Sequence, residues 1–297
     1  TLAGCASGTV GSDGGRAPDA RRTDAAALDG PAHDGATVDA RPIDARPIDG
    51  GATDAPPPPI VASLTLTEIV LAPTGGELVE LLNPTATAVD LSTYYLSDTP
   101  GYFKLPAGVT AVGADSTDFV ARFPAGATLA PGAVATVALD TAANFTIAYP
   151  GVNPTYAIGS GTMTLLTAGT APTLTNAGEP LILFQWNGAS DKVTDVDIMV
   201  AGTPSAANAL VAKTPVDGPD ADTTATAYAI DALTIPTQSA PAASRSTKRL
   251  ARESAATETQ TGGNGVSGHD ETSEQTGTTW DTAAYTAPTP GTVPAAL

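Results

Sequence analysis

The sequence predicts an all-β sandwich behind an unstructured leader, and three observations carry that prediction. Thr, Val, Gly and Pro abound, helix formers such as Lys, Glu, Gln and Arg are scarce, and aromatics make up only 5% of the 297 residues. That mix favours short strands and turns. Short apolar stretches with period-two alternation recur from residue 61 to residue 200, each bounded by Gly, Pro or Asn. Composition then changes sharply at residue 59, which confines the foldable body to about residues 60–297, enough chain to bury roughly 70% of its unfolded surface without disulfides.

The leader comes first. Leu2-Ala3-Gly4-Cys5 resembles the bacterial lipobox, whose cysteine is lipidated after signal-peptide cleavage, and Cys5 is the one cysteine in the chain. Residues 1–5 therefore read as the remnant of a processing site. The resemblance implies an outer-membrane lipoprotein facing the periplasm or the cell surface, because Ala6 does not signal inner-membrane retention. A lipid on Cys5 would anchor the chain to the membrane by burying acyl CH₂ groups. Residues 6–59 form a low-complexity linker in which Asp19, Asp24, Asp29, Asp34, Asp39, Asp44, Asp49 and Asp54 recur every fifth residue. A period of five suits neither helix nor strand, and the segment has almost nothing to bury. As a flexible coil it would span about 40 Å.

The body opens with strand-like alternation over 61–70, turned by Pro73-Thr74-Gly75-Gly76. Strands are predicted at 77–82 and 91–96, with Asn83-Pro84 starting the connection between them, and a short one at Phe103-Lys104-Leu105-Pro106. Others follow at 118–124 and at 133–139, the latter after the Pro131-Gly132 turn, and at 181–184. Asn187-Gly188 signals a hairpin into 193–200, where Val196, Ile198 and Val200 alternate with Asp195, Asp197 and Met199. Residues 140–173 and 201–243 read as long insertions, the body as residues 60–285, and the Pro-, Thr- and Ala-rich residues 286–297 as a frayed tail.

The order Glu68-Ile69, then Gly76-Glu77 and Glu80-Leu81 with Asn83, then Val89-Asp90-Leu91-Ser92 with Leu96 and Asp98, resembles the lamin-tail domain family. That resemblance implies an immunoglobulin-like β-sandwich over about 66–200, continuing faintly at Ser244-Arg245 and Thr289-Pro290-Gly291. The sequence departs from the family in placing Tyr94 or Tyr95 where a Trp is usual.

Chemistry leaves fewer marks. The formal charge is −18, of which −14 falls on residues 60–297, and an acidic body repels phosphate backbones, so nucleic acid is not an expected partner. Cysteine-based zinc sites are excluded by the single cysteine. No apolar run reaches the ~20 residues of a membrane-spanning helix. His269 is the one histidine of the body, and no Gly-x-Ser-x-Gly elbow accompanies it; the chain reads as no enzyme, with a His269-dependent hydrolase as the remote alternative. Two runs offer oxygen donors for calcium: Asp217-Gly218-Pro219-Asp220-Ala221-Asp222, and His269-Asp270-Glu271-Thr272-Ser273-Glu274 behind a flexible Gly262-Gly263-Asn264-Gly265. The first lacks the glycine and distal glutamate of an EF-hand, and Asp and Gly also simply make turns. Arg245, Lys248, Arg249 and Arg252 stand at helical i, i+3, i+4, i+7 spacing, a pattern that fits pairing with the body's own carboxylates or a solvated face. Trp280 and Tyr285 read as core or staple residues.

The resulting expectation is a non-catalytic, lipid-anchored envelope or surface protein whose sandwich serves binding, adhesion or envelope structure through a protein or glycan partner. The alternative is a calcium-dependent module for carbohydrate or peptidoglycan.

Overall fold

The computed structural model describes residues 63–167, 172–175, 178–202, 210, 212–231, 246–281, 286–295 and 297. The chain divides into two units, 1–57 and 58–297, and every described residue lies in the second. Cys5, the linker, Arg245 and Tyr285 fall outside the described residues.

The body is an all-β, immunoglobulin-like sandwich. Its strands are β1 (Thr65–Val70), β2 (Leu78–Leu82), β3 (Val89–Asp90), β4 (Tyr94–Ser97), β5 (Val120–Arg122), β6 (Thr128–Leu129), β7 (Val134–Ala138), β8 (Tyr156–Ala157), β9 (Thr164–Leu165), β10 (Gly178–Gln185), β11 (Thr194–Gly202) and β12 (Ser246–Lys248). One sheet runs β12-β1-β2-β7-β8 and the other β11-β10-β4-β5-β9, while β3 and β6 form a separate ribbon. Among the described strands, every pairing is antiparallel except β7 with β8. The insertion at 140–173 supplies both β8 and β9, one edge strand for each sheet. Ahead of both strands, the helix Ala142–Ala148, capped by Thr141 Oγ1 on the Asn144 N–H, lays Phe145 on the outer face of the first sheet.

Alternation sets the core. Val79 and Leu81 of β2 and Ala135 and Val137 of β7 meet Leu96, Ala121, Leu181 and Leu183 of the opposite sheet. Each fully buried Leu or Val of this kind contributes about 1.5–3 kcal/mol. The outer faces are covered too, so all five residues of β2 are buried. Over the second sheet, Tyr102, Phe103 and Leu105 pack on Phe184 and Tyr228, with ring centroids 5.1 Å apart for Tyr102–Phe184 and 5.5 Å for Phe103–Tyr228. These residues, expected as a strand at 103–106, form instead a 3-10 helix, Tyr102–Ala107. Pro106 has no N–H for a ladder, and packing of the aromatic residues onto the sheet decides their direction.

Two β-bulges re-aim side chains. In β1 the register shifts between Leu66 and Glu68, so that Leu66 and Ile69 both reach the core. In β11 it shifts opposite Leu183 and Phe184, leaving Val196 as the extra residue between Asp195 and Asp197. The body closes on its far end. β12 adds to β1, the Thr289 N–H donates to both carboxylate oxygens of Glu68 at 2.9 and 3.1 Å, and the Gly291 N–H donates to Glu80 Oε2 at 2.6 Å. Residues 289 and 291, expected to fray, are thus docked on the cross-strand pair Glu68–Glu80.

Candidate functional site

The bulge at Val196 turns Asp195 and Asp197 to opposite faces of one sheet, where each captures a cation from a distant segment. On the outer face Lys213 Nζ lies 2.7 Å from Asp195 Oδ2 and 2.6 Å from Asp231 Oδ2, and the Tyr102 hydroxyl donates to Asp195 Oδ1 at 2.6 Å. On the inner face Arg249 Nη2 reaches both oxygens of Asp197 at 2.8 Å. Alternation alone suggests solvent for both aspartates; instead both are buried.

Arg249 is the centre of the inner group. Its Nε donates to the Leu66 carbonyl at 2.8 Å, its Nη1 donates to Glu274 Oε1 at 2.6 Å and to Glu253, and its guanidinium lies 4.8 Å from the Trp280 ring centroid. Asp197 Oδ2 also accepts the Leu66 N–H at 2.7 Å, and Glu274 Oε1 accepts from the Thr279 hydroxyl at 2.7 Å. Burying a guanidinium costs several kcal/mol, offset only by geometry this complete. Burial also holds Asp197 well above the usual carboxylate range and lifts Glu274 to about 7, against the pull of Arg249. The helical spacing of the basic run was therefore misleading. Ser246–Lys248 is a strand, Arg249 points inward, and Arg252 reaches the Leu297 carbonyl at 2.5 Å.

Beside this group lies a cavity of about 220 Å³, whose walls include Ser63, Thr65, Arg252, Glu253, His269 and Glu271. One donor atom from each of Glu258, His269 and Glu271 lies within 4.8 Å of the others, and His269 Nδ1 is 3.6 Å from Glu258 Oε2. Burial pushes Glu258 up to about 8, with Glu253 adding to the effect, and pushes Glu271 well above its ordinary value, with Glu258 next in importance.

The glycine-rich segment before His269 is tied down rather than flexible. Asn264 Oδ1 accepts the Ala229 N–H at 2.8 Å, its Nδ2 donates to the Ala229 carbonyl at 3.0 Å, and its own carbonyl accepts the Asp195 N–H at 3.1 Å. The Gly265 N–H donates to the His269 carbonyl at 2.8 Å, and a Cβ on Gly265 would stand 2.6 Å from Glu271 Oε1. The same Cβ would lie 2.9 Å from the His269 carbonyl oxygen, so a side chain there would force the Glu271 carboxylate and that carbonyl to shift. Asp270 Oδ1 then accepts from the Thr272 N–H at 3.2 Å and its hydroxyl at 2.7 Å, starting the 3-10 turn Glu271–Ser273.

The predicted donors thus fall into separate groups. His269 and Glu271 join Glu258; Glu274 joins Asp197 and Glu253 around Arg249; Asp217 and Asp220 join Asp191. Asp270 caps a turn. In the third group Asp191 accepts from the Gly218 N–H at 2.9 Å and from the Thr226 hydroxyl at 2.5 Å, pinning the 217–222 loop to the hairpin tip. Gly218 is needed there, since a Cβ would lie 2.7 Å from the Ser190 carbonyl oxygen. Asp220 accepts from the Asp222 N–H at 3.0 Å and Asp222 from the Thr224 N–H at 2.7 Å, both as turn formers. A further acidic group joins Asp98, Asp118 and Glu179. Sequence reasoning missed Glu253, Glu258 and Asp191 because nothing in their spacing marks them. Asp195 and Asp197, two acids inside an apolar strand, were the one available signal of buried cations.

Among the described residues no helix is long and apolar enough to cross a membrane. Residues 58–198 match the Lamin Tail Domain family, on the stretch where the Glu68-Ile69 and Gly76–Asp98 motifs lie. Among solved structures, a DUF4876 family protein from Bacteroides thetaiotaomicron VPI-5482 is similar at 13% identity and a TM-score of 0.38, with 79% of this chain and 75% of that one covered. Among curated proteins none matches the chain.

Proposed function

We propose that the protein, whose residues 58–198 match the Lamin Tail Domain family, is a non-catalytic binding or structural module of a bacterial cell envelope, held at the membrane by a lipid on Cys5. The observation that carries a non-catalytic reading is how the body uses its charged groups. Lys213 and Arg249 bind Asp195, Asp231, Asp197 and Glu274 in fully buried contacts that stitch the insertion and the closing strand to the sandwich. Such groups hold a scaffold in one shape, and loops on a rigid scaffold are where recognition is placed. Leu2-Ala3-Gly4-Cys5 ahead of an Asp-spaced linker supports the anchor, and the acidic body supports a protein or glycan partner over nucleic acid.

Intact-mass analysis and membrane fractionation of the native protein test the anchor. An acylated Cys5 and release of the Cys5→Ser variant from the membrane are expected; an unmodified Cys5 on membrane-free protein refutes it. Turnover on an esterase, glycosidase or phosphatase panel that disappears in His269→Ala would overturn the non-catalytic reading. The alternative, calcium-dependent binding of carbohydrate or peptidoglycan, rests on the grouping of Asp191, Asp217 and Asp220 within 4.8 Å. Thermal unfolding in chelator and in millimolar calcium separates the two, because a ligand at ~100 times its Kd adds ~2.7 kcal/mol. A midpoint rise abolished by Asp220→Asn selects the calcium-dependent module.

A further inference from the structure

Around Arg249 the body gathers more carboxylates than cations. Arg249 contacts Asp197, Glu253 and Glu274, whereas Glu258 and Glu271 group with His269, and His269, Glu271 and Arg252 line the cavity. Glu258 is 6% exposed; its Oε2 accepts from Gln260 Nε2 at 2.7 Å, and its buried Oε1 has no hydrogen-bond partner. A buried acceptor left without a donor is costly. The 3.6 Å between His269 Nδ1 and Glu258 Oε2 is too long for a hydrogen bond. It is close to the ~3.4 Å that separates two donors each ~2.1 Å from a tetrahedral metal.

We propose that Glu258, His269 and Glu271 are the three protein ligands of a divalent transition-metal site of the zinc class, whose open position faces the 220 Å³ cavity. Calcium and magnesium take all-oxygen shells, while an imidazole beside two carboxylates suits zinc and its neighbours. Three protein ligands with a fourth position open is the arrangement that holds a water or an incoming donor atom. The ligands are pre-positioned by backbone. Gly265 leaves room for Glu271 Oε1 and holds the His269 carbonyl, and the Asp270 N–H donates to the Thr259 carbonyl at 2.9 Å, fixing the ligand segment against the residue next to Glu258. The site stands independently of the anchor and of any envelope partner.

The test uses the purified full chain, stripped with chelator and then given zinc, cobalt(II) or calcium chloride. One equivalent of zinc is expected by elemental analysis after gel filtration, with a rise in unfolding midpoint of about 5–10 °C at ~100 times Kd. Cobalt should give the visible d–d absorption of a four-coordinate site. Glu258→Gln and His269→Gln should lose both signals while keeping the far-UV circular dichroism of the parent. His269→Cys should retain the metal and add a thiolate charge-transfer band, a response a merely structural histidine would not give. Failure of the folded chain to take up zinc overturns the proposal. So does uptake undiminished in Glu258→Gln and His269→Gln, which would place the metal elsewhere, for example at His33, and so does displacement of zinc by equimolar calcium.

Discussion

Replacing Arg249 by Met is the sharpest test of how the body holds together. The change removes the 2.8 Å contacts to Asp197, the 2.6 Å contact to Glu274, the bond to the Leu66 carbonyl and the cation lying 4.8 Å from the Trp280 ring centroid. It leaves Asp197 and Glu274 buried without their counter-charge. Breaking a buried pair from one side costs about 3–5 kcal/mol, and the lost cation–π contact adds up to ~2 kcal/mol, partly restored by the apolar side chain. For a body of this length that is a midpoint fall of roughly 6–20 °C. Urea unfolding followed by tryptophan emission reads it, since Trp280 lies against the perturbed site. The penalty should shrink with acidity, because in the variant the orphaned carboxyls fold without cost only when protonated. At pH 5 the deficit is therefore smaller than at pH 8, and the double variant Arg249→Met/Asp197→Asn recovers part of it. A deficit below ~1 kcal/mol at pH 8, or one that does not change with pH, refutes the reasoning.

Two further outcomes follow from the buried acids and the loop contacts. Burial raises Glu77 and Glu258 to about 8 and Glu80 and Glu179 to about 7. The folded state thus binds more protons than the unfolded state between about pH 4.5 and 8, and its stability should fall as pH rises through that window. The thermal midpoint is expected to be higher at pH 5 than at pH 8, with the slope reduced in Glu80→Gln; a midpoint that climbs with pH contradicts it. Gly218→Ala drives a Cβ to 2.7 Å from the Ser190 carbonyl oxygen and should cost ~1–3 kcal/mol. Asp222→Asn on the same loop should stay within about 0.5 kcal/mol; equal losses in the two variants would show that crowding is not the cause.

The strands from Thr65 to Gly202 were largely legible because their signal is local: apolar alternation on either side of Gly, Pro and Asn turns. What could not be read was anything decided by a partner far along the chain. Arg249 has helical spacing with Arg252, yet the strand before it exists because β1 needs a neighbour. Asp195 and Asp197 look solvent-facing until a one-residue bulge separates them and two cations arrive from residues 213 and 249. Phe103 and Leu105 carry a strand pattern and obey the sheet they cover instead. At the candidate site His269 and Glu271 were legible as donor types, but Glu258 joins them only through tertiary folding.

The clasp of Thr289 and Gly291 on Glu68 and Glu80 has a bearing on when the chain can fold. The first strand is completed by groups 221 residues downstream, a separation that puts the slowest, entropically most expensive loop closure at the sandwich's own starting edge. A nascent chain emerging amino end first carries β1 with its outer edge unpaired until residues 246–248 have appeared, and its two glutamates uncapped until residue 291. Native assembly of this edge is therefore a late event in the order in which the residues appear.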